Sequence, residues 1–206
     1  MKKLFILCMF LLLINLSSCT AVKINRFYEF VSSEAMDIEI SRNTDSSIND
    51  VRLKYNKDLM IAYIEDGEVA LDFVNNTVYV NYSGVKAYSE YDLTEFKMND
   101  NPTDTSKYVS KIKSKKDILS FVLDLSQMNY GEETERVYCE VSFKEKRVSN
   151  IDIMSSDKEE LKYQIKVNSY GDSVEGLQLP SKESYSSNFI YDIVIAVLMN
   201  KLKEVL

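Results

Sequence analysis

Residues 52–88, RLKYNKDLMIAYIEDGEVALDFVNNTVYVNYSGVKAY, hold apolar runs divided by Asn56-Lys57-Asp58, Asp66-Gly67, Asn75-Asn76 and Ser83-Gly84. Gly and Asn reach left-handed backbone angles cheaply, and Asn and Asp bond their own backbone a residue or two on, so each divider reads as a turn. Turns at this spacing leave runs of hairpin length, which predicts consecutive antiparallel strands. Leu53 and Tyr55, then Val69, Leu71 and Phe73, then Val78, Val80 and Tyr82 alternate with Arg52, Lys54, Glu68, Asp72, Thr77 and Asn81. That is the period of a sheet with one dry and one wet face, and the dry face needs a cover. Residues 59–64 are apolar at every position, which fits a central strand covered on both sides or a hairpin arm near a membrane.

Around this meander the pattern changes twice. Upstream, Phe27, Phe30 and Val31 stand at helical spacing and predict a short amphipathic helix over 24–35, followed by a strand at 36–41. Downstream, 91–97 reads as one helical turn and 98–106 as loop. Asn99, Asp100, Asn101 and Asp104 carry the oxygen ligands calcium takes, but the glycine and distal glutamate of an EF-hand loop are missing, so turn chemistry accounts for them and no metal site is expected. Ser114-Lys115-Lys116-Asp117 is close to a capping box, and Ile118, Phe121, Val122 and Leu125 behind it predict a helix ending near 128–131. Lys107, Lys111, Lys113, Lys115 and Lys116 are the basic cluster of the chain, read as a solvated helical face or a contact with lipid headgroups. Three more strands are expected at 136–143, 147–154 and 161–167, the last alternating Leu161, Tyr163, Ile165 and Val167 with polar residues.

The first 18 residues are a leader: two lysines, an apolar run too short to cross a bilayer, then Ser17-Ser18. Cleavage there would remove Lys2 and Lys3 and no acidic residue, taking the net charge from −7 to −9. An acidic surface is a poor partner for nucleic acid or anionic lipid, and none of the former is expected. Of Cys8, Cys19 and Cys139, the first leaves with the leader, so no disulfide framework is available and Cys139 reads as a small core residue. Histidine and tryptophan are absent. Imidazole catalysis and the common zinc sites go with them, and no carboxylate pair stands out for acid–base work, so the chain is expected not to be an enzyme and to carry no cofactor.

Leu16-Ser17-Ser18-Cys19 resembles a bacterial lipobox. That resemblance implies cleavage before Cys19, a diacylglycerol thioether on its sulfur, a lipidated tether at 19–23 and a place on the extracytoplasmic face of the cell membrane. The order of elements from 26 to 180, with Val141-Ser142-Phe143, the 161–167 strand, Tyr170-Gly171-Asp172 and Leu179-Pro180, resembles the LolA/LppX/RseB-like lipoproteins and carriers. It implies an α+β fold over 24–206 as a single domain: a curved antiparallel half-barrel with helices covering its concave face. In such a groove the lining would come from Leu71, Phe73, Val80, Tyr82, Val141, Phe143, Tyr163 and Ile165. Two functions fit: binding of a lipid or other apolar ligand, or a ligand-free envelope lipoprotein that binds a protein partner or acts as a sensor, its groove filled by its own helices. Residues 188–206 depart from the resemblance as a strongly apolar helix, with Ile190, Ile193, Val194 and Val197 on one face and Ile195, Leu198, Leu202 and Val205 beside them. Such a helix packs on the sheet, plugs the groove or lies on the membrane.

Overall fold

The computed structural model describes residues 18–42, 50–96, 108–125 and 136–205; residues 1–17 of the expected leader, 43–49, the expected loop with its Asn and Asp residues within 97–107, 126–135 and 206 lie outside them. The described residues form helix α1 (Ser18–Val31), then strands β1 (Ala35–Arg42), β2 (Asp50–Asn56), β3 (Leu59–Ile64), β4 (Gly67–Asp72), β5 (Thr77–Tyr82) and β6 (Val85–Glu90). Strands β7 (Val109–Lys115), β8 (Ile118–Asp124), β9 (Arg136–Lys144), β10 (Arg147–Ser155) and β11 (Leu161–Tyr170) follow, and helix α2 (Phe189–Val205) ends the chain. Strands β6-β5-β4-β3-β2-β1 hydrogen-bond in that order, as do β11-β10-β9-β8-β7, each neighbouring pair antiparallel. This is the α+β class of antiparallel strands that the resemblance implies. Contacts gather in two units, one of residues 34–98 and 168–206 and one of residues 1–33 and 99–167.

In the unit of 34–98 and 168–206, the expected meander is present from β2 to β6. Asn56 Oδ1 accepts from the backbone N–H of Asp58 and Leu59, both at 2.9 Å, and Asp72 Oδ1 accepts from those of Val74 and Asn75, both at 3.0 Å. Side chains that bond their own backbone therefore make two of the four turns: Asn56 does so as its divider implies, whereas the Asn75-Asn76 turn is closed by Asp72, a residue expected on the wet face and found buried. Ser83 and Gly84 both take positive φ, 49° and 82°, the geometry that matches a tight hairpin to strand twist. Gly67 has a different role. It is the first residue of β4, and a Cβ there would lie 2.0 Å from the Asn81 carbonyl oxygen. Gly67→Ala is expected to cost about 2 kcal/mol in urea denaturation, because the β4–β5 ladder must move to admit one methyl group.

Directly opposed residues share a face, so the registers sort this unit into two layers. Leu53, Ala62, Val69 and Val80 lie in one row, with Tyr55, Met60, Leu71 and Val78 in the next; all eight are buried. The other face carries Leu59, Ile61, Ala70 and Tyr79, a buried cluster against which Tyr63, Tyr88, Leu177 and Tyr185 pack. With β3 buried on both faces, the central-strand reading of 59–64 holds.

The other unit holds two corrections. Residues 114–125 are not a helix: β7 and β8 form a hairpin turning at Lys116-Asp117, where Lys116 takes a φ of 47° and Lys115 faces Ile118. The helical spacing of Ile118, Phe121, Val122 and Leu125 coexists with an alternation of Leu119, Phe121 and Leu123, which face Val141, Cys139 and Val137 of β9. A ready ladder partner and β-branched residues outweighed the local period. Of the lysines expected on a helical face, Lys111, Lys113 and Lys115 lie on β7, the last strand of the order, where charge discourages strand addition, Lys116 lies in the turn after it, and Lys107 lies outside the described residues.

Helix α1 is the second correction, since it begins at Ser18 and takes in residues 19–23, expected as a tether. Thr20, Lys23 and Phe30 are buried while Cys19 is exposed. Their stripe, 20-23-27-30, is helical, but its first two members are polar and hid from an apolar-periodicity reading. The helix stops four residues early because Ser32 and Ser33 hydroxyls donate to the Tyr28 and Glu29 carbonyls, each at 2.7 Å. Cys139 is the buried core thiol expected, its pKa pushed up to about 12 by burial.

Candidate functional site

The residues expected to line a groove sort by unit. Leu71 and Val80 share the buried meander face at 0 and 1% exposure, Phe73 follows β4 and is buried, and Tyr82 is half-buried with its hydroxyl donating to Asp66 at 3.2 Å. In the other unit, Leu119, Val141, Ile151 and Ile165 form one cross-strand row, and Phe121, Cys139, Ile153 and Tyr163 the next. Val141 is fully buried, Phe143 is buried, and Tyr163 and Ile165 are half-buried. Helix α1 lies over this face, its Phe27 ring 5.7 Å from that of Phe121 and 6.3 Å from that of Phe30. Within each unit, then, the sheet brings the expected residues together, but most of them are already packed.

An opening lies on the meander's other face. Beyond β11, residues 174–186 run as a strap across β3, β4 and β6. One end is tied where Lys54 Nζ donates to the Glu175 carbonyl at 3.1 Å. At the other end the Tyr185 ring stands edge-on to Tyr79 at 5.4 Å, with Lys86 6.0 Å above it, and Ser186 bridges to Ala87. Lys182 sits 4.6 Å over the Tyr88 ring, a further clasp. Between strap and sheet is a cavity of about 350 Å3. Ile61 and Ala70 form an apolar floor, Leu179 and Pro180 part of the strap wall, and Tyr63, Glu68, Lys86, Gln178 and Tyr185 supply polar groups. Burial first, and then the Glu68 carboxylate, raise the Tyr63 and Tyr185 hydroxyls above the ordinary tyrosine range. Both stay protonated at neutral pH and can donate a hydrogen bond.

The strap's anchored end rests on a charged cluster. Arg52 donates to both oxygens of Asp37, Nε to Oδ1 at 2.9 Å and Nη2 to Oδ2 at 2.7 Å, while Asn168 donates to Oδ1 at 3.2 Å and Lys54 lies 3.7 Å from Oδ2. Burial alone would raise the Asp37 carboxyl; the hydrogen bonds from Arg52 and Asn168, with the charges of Arg52 and Lys54, hold it below its ordinary value.

This cleft was missed from sequence because its strap, EGLQLPSKESYSS from Glu175, has no period. Tyr79 and Tyr88 on the supposedly wet face were the available signal. Helix α2 was placed but not oriented. Ile195, Met199 and Leu202 are its buried stripe, whereas Phe189, Ile190, Ile193, Val194 and Val197 are exposed. The helix packs on β6 through the side expected to be secondary. No described helix is long and apolar enough to cross a membrane, and among the described residues no group of three or more Cys, Asp or Glu side chains could hold a metal ion.

No protein-family model and no curated protein matches the sequence. Solved structures similar to the chain include the lipoprotein LppX of Mycobacterium tuberculosis, at 7% identity and a TM-score of 0.48 over 77% of this chain and 97% of that one. LprF of Mycobacterium bovis follows at 11% identity and 0.47, over 79% and 97%. A LolA superfamily protein of Nitrosomonas europaea stands at 10% identity and 0.28, over 83% and 98%.

Proposed function

We propose that this chain is a lipoprotein held on the extracytoplasmic face of the cell membrane by diacylglycerol on Cys19, and that it works as a binding module for a segment of an envelope protein. The observation that carries this reading is where space is and is not found. Leu71, Val80 and Val141, expected to line a groove for an apolar ligand, are at most 1% exposed. The strap cleft of about 350 Å3 is bounded by Glu68, Lys86, Gln178 and two tyrosines as well as by apolar residues. An acyl chain gains only from apolar burial and leaves such groups without partners, whereas a peptide offers amides to each of them. The thiol of Cys19, exposed at the start of α1, is accessible for acylation.

Two measurements test the proposal. Intact mass of the protein taken from membranes is expected to include a diacylglycerol adduct, and Cys19→Ser to release the chain into the soluble fraction; an unmodified mature chain ends the anchor reading. A photo-crosslinker at Ser184 in the cleft is expected to capture one envelope protein in cells, while the same group at Lys57 captures none; equal yields at the two positions argue against the cleft.

One observation favours a second reading, in which the module takes an apolar ligand. Helix α2 is held by a narrow stripe and leaves five large apolar side chains exposed, as a displaceable plug would. Truncation after Asn188 separates the two: a plugged carrier retains more extractable lipid, and a filled core simply unfolds.

A further inference from the structure

Within the unit of α1 and β7–β11, the acyl attachment point and the basic residues come from distant stretches of sequence and meet at one end. Lys23 on α1 is buried, and its Nζ donates to Ser114 Oγ at 2.8 Å, to the Ile118 carbonyl at 3.4 Å and to the Lys116 carbonyl. One helical turn later, Phe27 lies on Phe121. The path from Lys23 to Phe27 therefore follows β8 from Ile118 inward. Cys19, one turn before Lys23 and about 6 Å back along the axis, is exposed.

The turn between β9 and β10 is at this same end. Ile118 faces Ser142, Lys144 faces Arg147, and the Phe143 N–H donates to the Asp117 carbonyl at 2.8 Å. Exposed here are Lys113, Lys115, Lys116, Lys144, Lys146 and Arg147, against the acidic Asp117 and Glu145. The whole chain has a net charge of −7, so this end is opposite in sign to the rest. The three acceptors of Lys23 are a hydroxyl and two carbonyls, so no carboxylate among them offsets the cluster.

We infer that the tips of the β7–β8 and β9–β10 hairpins form a basic face that rests on anionic phospholipid headgroups beside the acyl anchor. The inference rests on the lipoprotein reading for its geometry: a chain acylated at Cys19 has its exit point within a helical turn or two of these lysines, inside the range where an anionic surface attracts them. The opposite sign of the rest of the chain turns this end toward the bilayer. Lys23 is the positioning residue, since it fixes α1 to the turn that carries Lys115 and Lys116.

The test uses the mature chain with Cys19→Ser, which cannot be acylated, and vesicles of phosphatidylcholine with or without roughly one third phosphatidylglycerol. At low salt this chain is expected to partition onto the anionic vesicles only and to lose that preference near 0.5 M salt. Lys115→Gln with Lys116→Gln is expected to weaken partition about 30-fold, while Lys57→Gln with Lys166→Gln, with the same net charge change, leaves it within about 2-fold. Equal partition onto both vesicle types, or equal losses in the two double variants, overturns the inference. A vesicle preference that persists while the native protein has no lipid on Cys19 removes the anchor reading and leaves the basic face standing.

Discussion

Ile195→Ala lowers folding stability by about 3 kcal/mol, the ordinary cost of emptying a fully buried aliphatic site, whereas Ile193→Ala on the same helix changes it by less than about 0.5 kcal/mol. The contrast comes from their exposures, 0% for Ile195 and 52% for Ile193. Urea denaturation of the two variants, with unchanged m-values, decides it. If both substitutions prove nearly silent, α2 is not held on β6 in solution, and the plug reading gains. If both are costly, something covers the exposed side as well.

Arg52→Met is the second large effect, at about 3 kcal/mol. Asp37 has only 7% of its side chain exposed, and the substitution removes both of its bidentate bonds. The figure is the low end for breaking a buried pair, because Arg52 itself is 43% exposed and Lys54 and Asn168 remain beside the carboxylate. The sign of the pH dependence follows from Asp37. Its pKa is lower in the folded chain than in the unfolded one, so its contribution is present in full above the unfolded value of about 3.9 and is lost as the pH falls through the folded value. The gap between wild type and Arg52→Met is therefore widest near neutrality and narrows below about pH 4. A gap that stays constant down to pH 3 shows that Arg52 acts through packing of its stem instead.

The meander was legible because its turns and its alternation agree: Asn56, Asp72 and Ser83-Gly84 close hairpins whose faces match the pattern of Leu53, Val69 and Val80. Misreadings arose where a side chain served two masters. Phe121 fits a helical stripe and a strand face equally well, and only the β9 ladder, with Cys139 opposite, decides between them. Thr20 and Lys23 interrupt the apolar stripe of α1 yet are buried in it, because Lys23 finds its acceptors about 90 residues away in sequence. The strap cleft was the least legible part. Its walls come from residues 61–86 and 176–185, and a wet-face pattern does not say which irregular segment will lie across it.

Ser186 has a consequence for how copies of this protein meet. Its N–H donates to the Lys86 carbonyl at 3.1 Å and its carbonyl accepts from the Tyr88 N–H at 2.9 Å, so the outer rim of β6 is already engaged by the chain's own C-terminal arm. A foreign strand cannot add there without first prising the arm away. A nick between the cleft and α2 would thus do more than loosen a tail: it would uncover a template for end-to-end growth, and fibrils of clipped molecules would be its sign.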